Sequence, residues 1–195
     1  MAWKTGHARV IILTGWPGVG KTTVARRIAE RTGFPLLDDH LTYAPIIRFL
    51  RKGSRRAHEL NVQVRGAILE MLLRSPIPGT VVTTGYRRKA VGQFIALAVD
   101  LGTAFESRID IVRLVCDWDE HKRRVTSPTR HGIGKTRTVQ ELKRKMATPP
   151  FLGLPDYPPL VIDTTALSPE RCAARIIRKL EVPTLGIPLG RTVPG

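Results

Sequence analysis

Short apolar runs alternate with amphipathic segments along the chain. The first run, residues 8–14, contains Val-Ile-Ile-Leu, a pattern typical of a strand that is buried on both faces. A helix follows from about Lys21, with apolar and charged residues on opposite faces. The later runs that we interpret as strands are residues 35–38, 80–84, 109–116 and 160–163. This alternation predicts an α/β fold with a five-stranded parallel sheet and helices on both faces.

Helical periodicity fills the intervals between the strands. The longest of these helices follows a basic turn at residues 51–56 and ends near Arg74. We expect its apolar face to be buried and its polar face to meet solvent. The apolar residues are Leu60, Val64, Ala67, Ile68, Met71 and Leu72, and the polar ones are Glu59, Gln63, Arg65 and Glu70. The other predicted helices after the first span residues 43–50, 91–101, 117–125, 138–146 and 168–180.

Length and composition indicate one globular domain. The 195 residues are 42% hydrophobic and 25% charged, as in ordinary soluble proteins. No run approaches the roughly 18 apolar residues of a membrane span, so we expect no membrane partner. Cys116 and Cys172 lie far apart, which predicts reduced thiols in a cytoplasmic protein. We expect a single folded domain over residues 1–182 and, because residues 183–195 hold scattered prolines and glycines, a loose tail there.

The net charge of +16 leaves the kind of partner open. It is compatible with an anionic substrate, with nucleic acid, or with arginine-rich genome usage alone. No basic strand with interleaved aromatic residues and no recognition helix supports nucleic-acid binding. A small-molecule partner is therefore the favoured expectation.

A complete phosphate-binding motif lies between the first strand and the first helix. Residues 15–22 read Gly-Trp-Pro-Gly-Val-Gly-Lys-Thr, which matches G-x-x-x-x-G-K-[ST]. Glycines let backbone N–H groups point at phosphate oxygens, and the helix dipole adds positive potential there. Lys21 can then reach the β- and γ-phosphates of ATP, and the Thr22 hydroxyl can bind Mg²⁺. The predicted nucleotide-binding residues here are Gly15, Pro17, Gly18, Val19, Gly20, Lys21, Thr22 and Thr23.

Polar residues follow each of the other predicted strands. In a parallel sheet the carboxyl ends of the strands form the ligand-binding edge. We therefore expect these groups to converge near the phosphate loop. They are Asp38 and Asp39, then Gly85, Tyr86 and Arg87, then Asp117, and finally Asp163, Thr164 and Thr165.

The acidic pair Asp38 and Asp39 is the candidate source of the general base and of a magnesium ligand. Phosphoryl transfer needs a carboxylate to deprotonate or orient the acceptor and another to hold Mg²⁺. Because neighbouring side chains on an extended segment point to opposite sides, only one is expected to face the γ-phosphate. We favour Asp39 as the base and Asp38 as the metal ligand, and both as acceptor contacts. The alternative is that one or both cap the next helix.

The third strand ends in Thr83, Thr84 and Gly85 without an acidic residue. Motor-type ATPases place a magnesium-binding acid at this position. Its absence argues against a mechanochemical NTPase and favours a kinase that uses an acid from the second strand.

The arginine-rich segment 126–138 is interpreted as a lid, and two further basic clusters flank the site. Arg130 is the best candidate for phosphate contacts, with Arg124 and Lys135 in support. The alternative is an ordinary solvated loop.

If the clusters at residues 48–56 and 87–89, which include Arg48 and Arg87, face the site, the acceptor is anionic. If they face outward, they only solubilise the chain, and both interpretations stand.

These features together resemble the P-loop small-molecule kinases of the nucleoside-monophosphate-kinase fold. Shikimate kinase, gluconate kinase and chloramphenicol phosphotransferase are the nearest types, over about residues 8–181. The resemblance implies that Lys21 steadies the transferred phosphoryl group and Thr22 binds Mg²⁺. It also implies that Asp39, or otherwise Asp38, is the base, that Arg130 closes over ATP, and that Thr164 and Thr165 touch adenine. The helices within residues 42–75 would form the acceptor pocket.

Three functions follow in order of preference. The first is an ATP-dependent kinase that phosphorylates a hydroxyl of a small metabolite, a nucleoside-like compound or an antibiotic. The second is a nucleotide kinase that acts on a nucleoside monophosphate. The third is a nucleotide-gated protein that binds RNA or DNA.

Overall fold

A five-stranded parallel sheet lies at the centre of the protein, with strand order β2-β3-β1-β4-β5. The computed structural model describes residues 8–86, 88–128, 130 and 135–185. The strands are β1 (Arg9–Thr14), β2 (Leu36–Leu37), β3 (Gly79–Thr83), β4 (Arg108–Val115) and β5 (Leu160–Asp163). The helices are α1 (Lys21–Thr32), α2 (Asp39–Phe49), α3 (Arg55–Arg74), α4 (Arg88–Ala104), α5 (Trp118–Thr126), α6 (Val139–Met146) and α7 (Pro169–Leu180). The predicted five-stranded parallel α/β fold is confirmed.

Strand β1 is buried along its whole length because both of its faces are covered. Ile11 and Leu13 belong to a core cluster with residues of α1 and α7. Val10 and Ile12 point to the other face, into a cluster with residues of α3 and α4. Alternation along one strand thus supplies both cores and places the phosphate loop, which follows β1, at the middle of the sheet edge.

Helix α2 begins four residues earlier than the predicted start at residue 43. Asp38 has extended backbone angles, and its side chain accepts a hydrogen bond from the backbone N–H of His40 at 3.0 Å. This is an N-cap, so Asp39 becomes the first helical residue and β2 shrinks to two residues. The capping alternative therefore holds for Asp38.

The predicted faces of α3 are confirmed at Glu59, Gln63 and Ile68 but wrong at other positions. Leu60 and Met71, which were expected to be buried, are 38% and 58% exposed. Arg65, which was expected to meet solvent, is 2% exposed and shares the buried face with Asn61. The reason is that this face of α3 meets the polar carboxyl ends of the strands, whose carboxylate, hydroxyl and carbonyl oxygens accept hydrogen bonds from a buried arginine.

Parts of three predicted segments lie outside the residues that the structure describes. They are residues 129 and 131–134 of the predicted lid, Arg87 of the second basic cluster, and residues 186–195 of the predicted tail. Within the tail, the N–H of Leu185 donates to the carbonyl oxygen of Arg31 at 2.9 Å. In the part of the chain that is described, none of the helices is both long and apolar enough to cross a membrane.

Candidate nucleotide and phosphotransfer site

The phosphate loop curls between β1 and α1 with three glycines in left-handed backbone conformations. Gly15, Gly18 and Gly20 have φ values of 139°, 100° and 95°. A Cβ at Gly15 would collide with the carbonyl oxygen of Leu114, so no side chain fits there. The N-cap of α1 is Gly20, which has no side chain that could accept hydrogen bonds from the first N–H groups of the helix. These N–H groups are therefore not occupied by a capping side chain. Such N–H groups form an anion-binding site.

Lys21 lies inside the curl of the loop. Its Nζ donates to the carbonyl oxygens of Gly15 at 2.6 Å and Trp16 at 3.0 Å. Burial lowers the pKa of Lys21 to about 8; Asp39 and, more weakly, Asp38 oppose this shift, and Arg130 adds to it. The predicted site residues Asp39, Arg130 and Asp38 therefore all act electrostatically on Lys21.

A buried histidine, which the sequence did not lead us to expect, contacts the phosphate loop. His121 of α5 is 2% exposed, and its Nε2 lies 2.7 Å from the carbonyl oxygen of Pro17. Burial lowers the pKa of His121, which favours the neutral ring. A neutral imidazole with its proton on Nε2 is the donor that this carbonyl requires. No local pattern signals the contact, because the two residues are 104 positions apart in the chain.

Arg124 joins the phosphate loop to the loop after β5. Its Nη1 donates to Thr164 Oγ1 at 2.8 Å and to the Val19 carbonyl oxygen at 3.4 Å, and its Nη2 donates to the Thr164 carbonyl oxygen at 2.6 Å. The Thr165 hydroxyl in turn accepts from the N–H of Asp117 at 2.9 Å. Arg124, Thr164 and Thr165 thus fix the loops on the side of the site that was expected to hold adenine. Their contact with a nucleotide stays a prediction.

One cavity of about 280 Å³ joins the phosphate loop to the helices α2, α3 and α4. It brings together ten of the predicted site residues and leaves others outside its wall. Those that line it are Pro17, Gly18, Gly20, Lys21, Thr22, Thr23, Asp39, Gly85, Tyr86 and Arg130. The described residues that do not line it are Gly15, Val19, Asp38, Arg48, Arg124, Thr164 and Thr165.

Asp39 presents its carboxylate to this cavity in a fixed orientation. Its Oδ1 accepts from Nδ2 of Asn61 at 3.0 Å and from Nη1 of Arg65 at 3.3 Å. The hydroxyl of Thr83 accepts from the N–H of Asp39 at 3.1 Å and donates to Oδ1 of Asp38 at 3.1 Å. Asp38 is 6% exposed, whereas the Asp39 side chain is 27% exposed. The two neighbouring acids therefore have different surroundings: Asp38 holds the backbone and Asp39 faces the cavity.

Arg65 holds the end of β3 as well as Asp39. Its Nη2 donates to the Thr83 carbonyl oxygen at 2.6 Å, and its Nη1 lies 3.3 Å from Thr84 Oγ1. Its guanidinium carbon lies 3.7 Å from the centre of the Phe94 ring. Burial lowers the pKa of Arg65, and the carboxylates of Asp39 and Asp38 act against that shift. The sequence prediction missed this residue, although its i, i+4 spacing from Asn61 places both on one helical face.

Cations of the lid segment and of α6 also line the cavity. Arg130 donates through Nε to the Thr136 carbonyl oxygen at 2.7 Å. Lys145 donates to Thr136 Oγ1 at 2.5 Å and to Glu141 at 2.6 Å, and Lys135 also lines the cavity. Arg130 and Lys135 therefore face the same space as Lys21.

The first basic cluster mostly faces away from the cavity. Lys52 lines the cavity, whereas Arg48, Arg51, Arg55 and Arg56 are exposed outside it. Arg55 forms an ion pair with Glu59 at 2.6 Å on the surface of α3. The second cluster, residues 87–89, lies outside the side chains that the structure describes.

The sequence matches a known protein family. The sequence profile of the AAA domain family matches residues 10–150, which is well over half of the chain. The chain belongs to the AAA domain family. A search of curated protein sequences found no match.

Solved structures similar to this AAA-family chain include small-molecule kinases. A sugar kinase from Janibacter sp. HTCC2649 has 19% identity and a TM-score of 0.65 over 90% of this chain and 95% of its own. A gluconokinase from Sinorhizobium meliloti 1021 has 19% identity and a TM-score of 0.58 over 88% and 95%. The Mycobacterium tuberculosis APS kinase, solved with AMPPNP and APS, has 15% identity and a TM-score of 0.58 over 90% and 98%. The expected resemblance to P-loop small-molecule kinases is confirmed at the level of the fold.

The oxygen groups of this AAA-family site suit magnesium better than a transition metal. No cluster of three or more His, Cys, Asp or Glu side chains occurs in the described residues. Mg²⁺ prefers a few protein oxygens together with phosphate oxygens and water. The Thr22 hydroxyl in the cavity wall fits that preference, whereas Asp38 lies outside the wall and its Oδ1 already accepts two hydrogen bonds. The role of both residues as ligands stays a prediction.

Proposed function

We propose that the chain is an ATP-dependent phosphotransferase that moves the γ-phosphoryl group to a hydroxyl of a small molecule. The observation that carries this proposal is the shared cavity of Lys21 and Asp39. The Asp39 charge opposes the fall in the pKa of Lys21, so the two groups interact across that cavity. A phosphate-binding lysine and a carboxylate in one pocket suit transfer between a nucleotide and an acceptor.

Asp39 is the base in this proposal. Asn61 and Arg65 both hold its Oδ1, and among the described residues its Oδ2 has no hydrogen-bond partner. The acceptor hydroxyl donates to Oδ2, its oxygen attacks the γ-phosphorus, and the bond to the bridging β–γ oxygen breaks to release ADP. The proton of the hydroxyl passes to Asp39.

Positive groups stabilise the charge on the transferred phosphoryl group. Lys21 lies at the loop and Arg130 on the lid side of the same cavity. We assign Mg²⁺ to the Thr22 hydroxyl and Asp38, where it would neutralise phosphate charge. Arg124, Thr164 and Thr165 are assigned to the adenine side of the nucleotide. The sugar kinase, gluconokinase and APS kinase of similar fold are consistent with this reaction class.

A cytoplasmic location suits this proposal, because ATP is abundant there. Cys116 and Cys172 are unpaired, and burial raises the pKa of each thiol to about 11. Thiols with a raised pKa stay protonated and unreactive at neutral pH.

A nucleotide kinase is the second candidate function. Lys52 favours it, because this cation of the predicted acceptor-side cluster does line the cavity. A nucleoside monophosphate would place its phosphate near Lys52 and offer an oxygen of that phosphate as the nucleophile. The two candidates differ only in the acceptor.

Binding and turnover together test the proposal. We expect Mg·ATP to give a saturable heat in calorimetry and to raise the melting temperature, and Lys21→Ala to weaken both effects. Transfer of label from γ-labelled ATP is then measured against sugars, aromatic alcohols, sugar acids and nucleoside monophosphates. Transfer to a neutral hydroxyl compound supports the first candidate, and transfer to a nucleoside monophosphate supports the second. Absence of Mg·ATP binding by the folded protein would refute both.

A further inference from the structure

A set of aromatic and apolar side chains lines part of the cavity. We name it the acceptor end. It comprises Tyr43 of α2, His58 and Val62 of α3, Tyr86 after β3, and Val91 and Phe94 of α4.

Ring contacts fix the walls of the acceptor end. The Tyr43 and His58 rings are stacked, with centroids 5.5 Å apart and planes 11° apart. The Tyr86 ring lies 4.8 Å from the ring of Trp16 in the phosphate loop. Each pair limits the rotation of its members, so flat faces are held in place before any acceptor binds.

The two charged groups beside the acceptor end, Asp39 and Arg65, do not favour an anionic acceptor. The carboxylate of Asp39 lies in the same wall and would repel a second carboxylate. The Nη atoms of Arg65 already donate to Asp39, Thr84 and the Thr83 carbonyl, and this side chain is 2% exposed. The Nε of Arg65 has no hydrogen-bond partner among the described residues, but it is buried, so an anion could reach it only if the side chain moved and gave up the bonds that hold β3.

Lys52 lines the cavity next to Gly53, whose N–H donates to the Tyr43 hydroxyl at 2.9 Å. The pKa of the Glu141 carboxyl on α6 is lowered: burial raises it, but Lys145, the N–H of Arg137 and, more weakly, Lys52 outweigh that effect. The charge of Lys52 therefore also acts on α6. Lys52 is also exposed, so solvent screens its attraction for an acceptor.

We infer, on the basis of the proposed phosphotransferase function, that the acceptor is a neutral hydroxyl compound with an aromatic or similarly flat apolar ring. The ring stacks within the acceptor end, and its hydroxyl reaches Asp39. Sugar acids and other carboxylates are rejected because Asp39 repels them and because the guanidinium of Arg65 is buried and held by Asp39 and the end of β3.

A matched pair of probes tests this inference. 2-Phenylpropane-1,3-diol and 3-hydroxy-2-phenylpropanoate share a phenyl ring and a primary hydroxyl, and they differ in one hydroxymethyl group against one carboxylate. Gluconate supplies an anionic polyol without a ring. Calorimetry on the full chain loaded with Mg·AMPPNP should show the diol binding at least about tenfold more tightly than either carboxylate. Equal or tighter binding of a carboxylate, or no saturable heat from the diol, would overturn the inference.

Nucleotide binding separates this inference from the function on which it rests. If Mg·AMPPNP itself fails to bind, the proposed function and the acceptor class are both refuted. If Mg·AMPPNP binds and gluconate or 3-hydroxy-2-phenylpropanoate is preferred, only the acceptor class is refuted.

Variants in the aromatic wall complete the test. His58→Ala should weaken binding of the diol about tenfold and leave the affinity for Mg·AMPPNP within twofold. Gln63→Ala, on the same helix but exposed and outside the cavity, is the control and should change neither. Tyr86→Leu removes a different ring and repeats the measurement if His58→Ala folds poorly. Unchanged affinity for the diol in a folded variant of either kind would contradict the inference.

Discussion

The guanidinium Nη1 of Arg65 lies 3.3 Å from the carboxylate Oδ1 of Asp39, and the arginine is buried while the acid reaches the cavity. This ion pair connects the interior of the fold to the proposed base. Because the pair also anchors the end of β3, its loss affects stability as well as the orientation of Asp39.

Replacing Arg65 with leucine should destabilise the protein strongly. Removing Arg65 leaves the buried Thr83 carbonyl without its donor, and because the Asp39 side chain that loses its partner is 27% exposed, we expect a cost of about 1–3 kcal/mol. Arg65→Lys keeps the charge but not the fork of donors, so it should fall between wild type and Arg65→Leu. Urea unfolding measures the difference. Arg74→Leu is the control on the same helix, because the Arg74–Glu70 pair is exposed and should contribute less than about 1 kcal/mol.

Asp39→Asn should nearly abolish phosphoryl transfer while the affinity for ATP changes by only a few-fold. The amide keeps the shape of the side chain but cannot accept the proton of the acceptor, and a general base contributes roughly 10²–10⁴-fold to the rate. Turnover with the best acceptor and calorimetry with Mg·ATP measure the two effects. Asp119→Asn, at an exposed acid of α5, should behave as wild type. An Asp39→Asn variant with most of its turnover would exclude Asp39 as the base.

Arg130→Ala should lower kcat more than it lowers the affinity for ATP. The side chain lies in the cavity wall with Lys21, where it can stabilise charge that develops in the transition state. Arginines in this role contribute about 10³-fold or more to the rate. Steady-state kinetics and calorimetry separate the two quantities, with Arg171→Ala on the exposed face of α7 as the control. A variant with normal kcat would remove the lid from the mechanism.

The sheet and the phosphate loop were predictable because their signals are local. The run at residues 10–13 is buried on both faces, and the Gly-x-x-x-x-Gly-Lys-Thr spacing creates the loop by its own backbone geometry. Ser168 and Pro169 likewise start α7 where the sequence predicted, because a cap and a proline act within one turn.

The inner wall of the site was not predictable, because it depends on contacts between distant residues. Arg65 is buried only because Asp39, 26 positions earlier, and the end of β3 receive its hydrogen bonds. Helical periodicity alone predicts a solvent-exposed position for a charged residue such as Arg65. The same holds for His121, whose partner Pro17 lies on another element. Asp38 shows the opposite case, since its capping contact with His40 spans only two residues and the sequence already offered it as an alternative.

His121→Phe should weaken ATP binding without removing the core packing of the ring. The phenyl group fills the space but cannot donate to the Pro17 carbonyl, so the loop loses the contact that fixes its turn. A lost buried hydrogen bond costs about 1–3 kcal/mol, or roughly 5- to 150-fold in affinity if the loop relaxes. Calorimetry measures this, and His121→Gln, which restores a donor, should recover part of the affinity. Equal affinities in all three proteins would show that the contact does not shape the loop.

His121 should also make the unliganded protein less stable in mild acid. Its pKa is lowered in the folded state, so the unfolded chain binds the proton first as the pH falls below about 6.5. Stability from this group is present above that pH and is lost as the pH falls toward the folded-state pKa. Urea unfolding of wild type and His121→Phe from pH 7.5 to 5 should show the smaller decline in the variant.

ATP affinity should fall as the pH rises above about 8. The pKa of Lys21 in the unliganded protein is about 8, and only its charged form attracts the phosphates, so binding takes up a proton in this range. The affinity should therefore drop by up to about tenfold per pH unit until the higher pKa of the complex is reached. The folded protein should not lose stability from Lys21 over the same range, because the unfolded lysine holds its proton up to about pH 10.5 and neutralising it favours the folded state. Calorimetry in buffers with different ionisation heats counts the protons directly. The Lys21→Arg variant stays charged, so its affinity for ATP, although weaker, should not depend on pH in this range. If the wild-type protein takes up no proton on binding, Lys21 is already charged before the phosphates arrive, and the prediction is wrong.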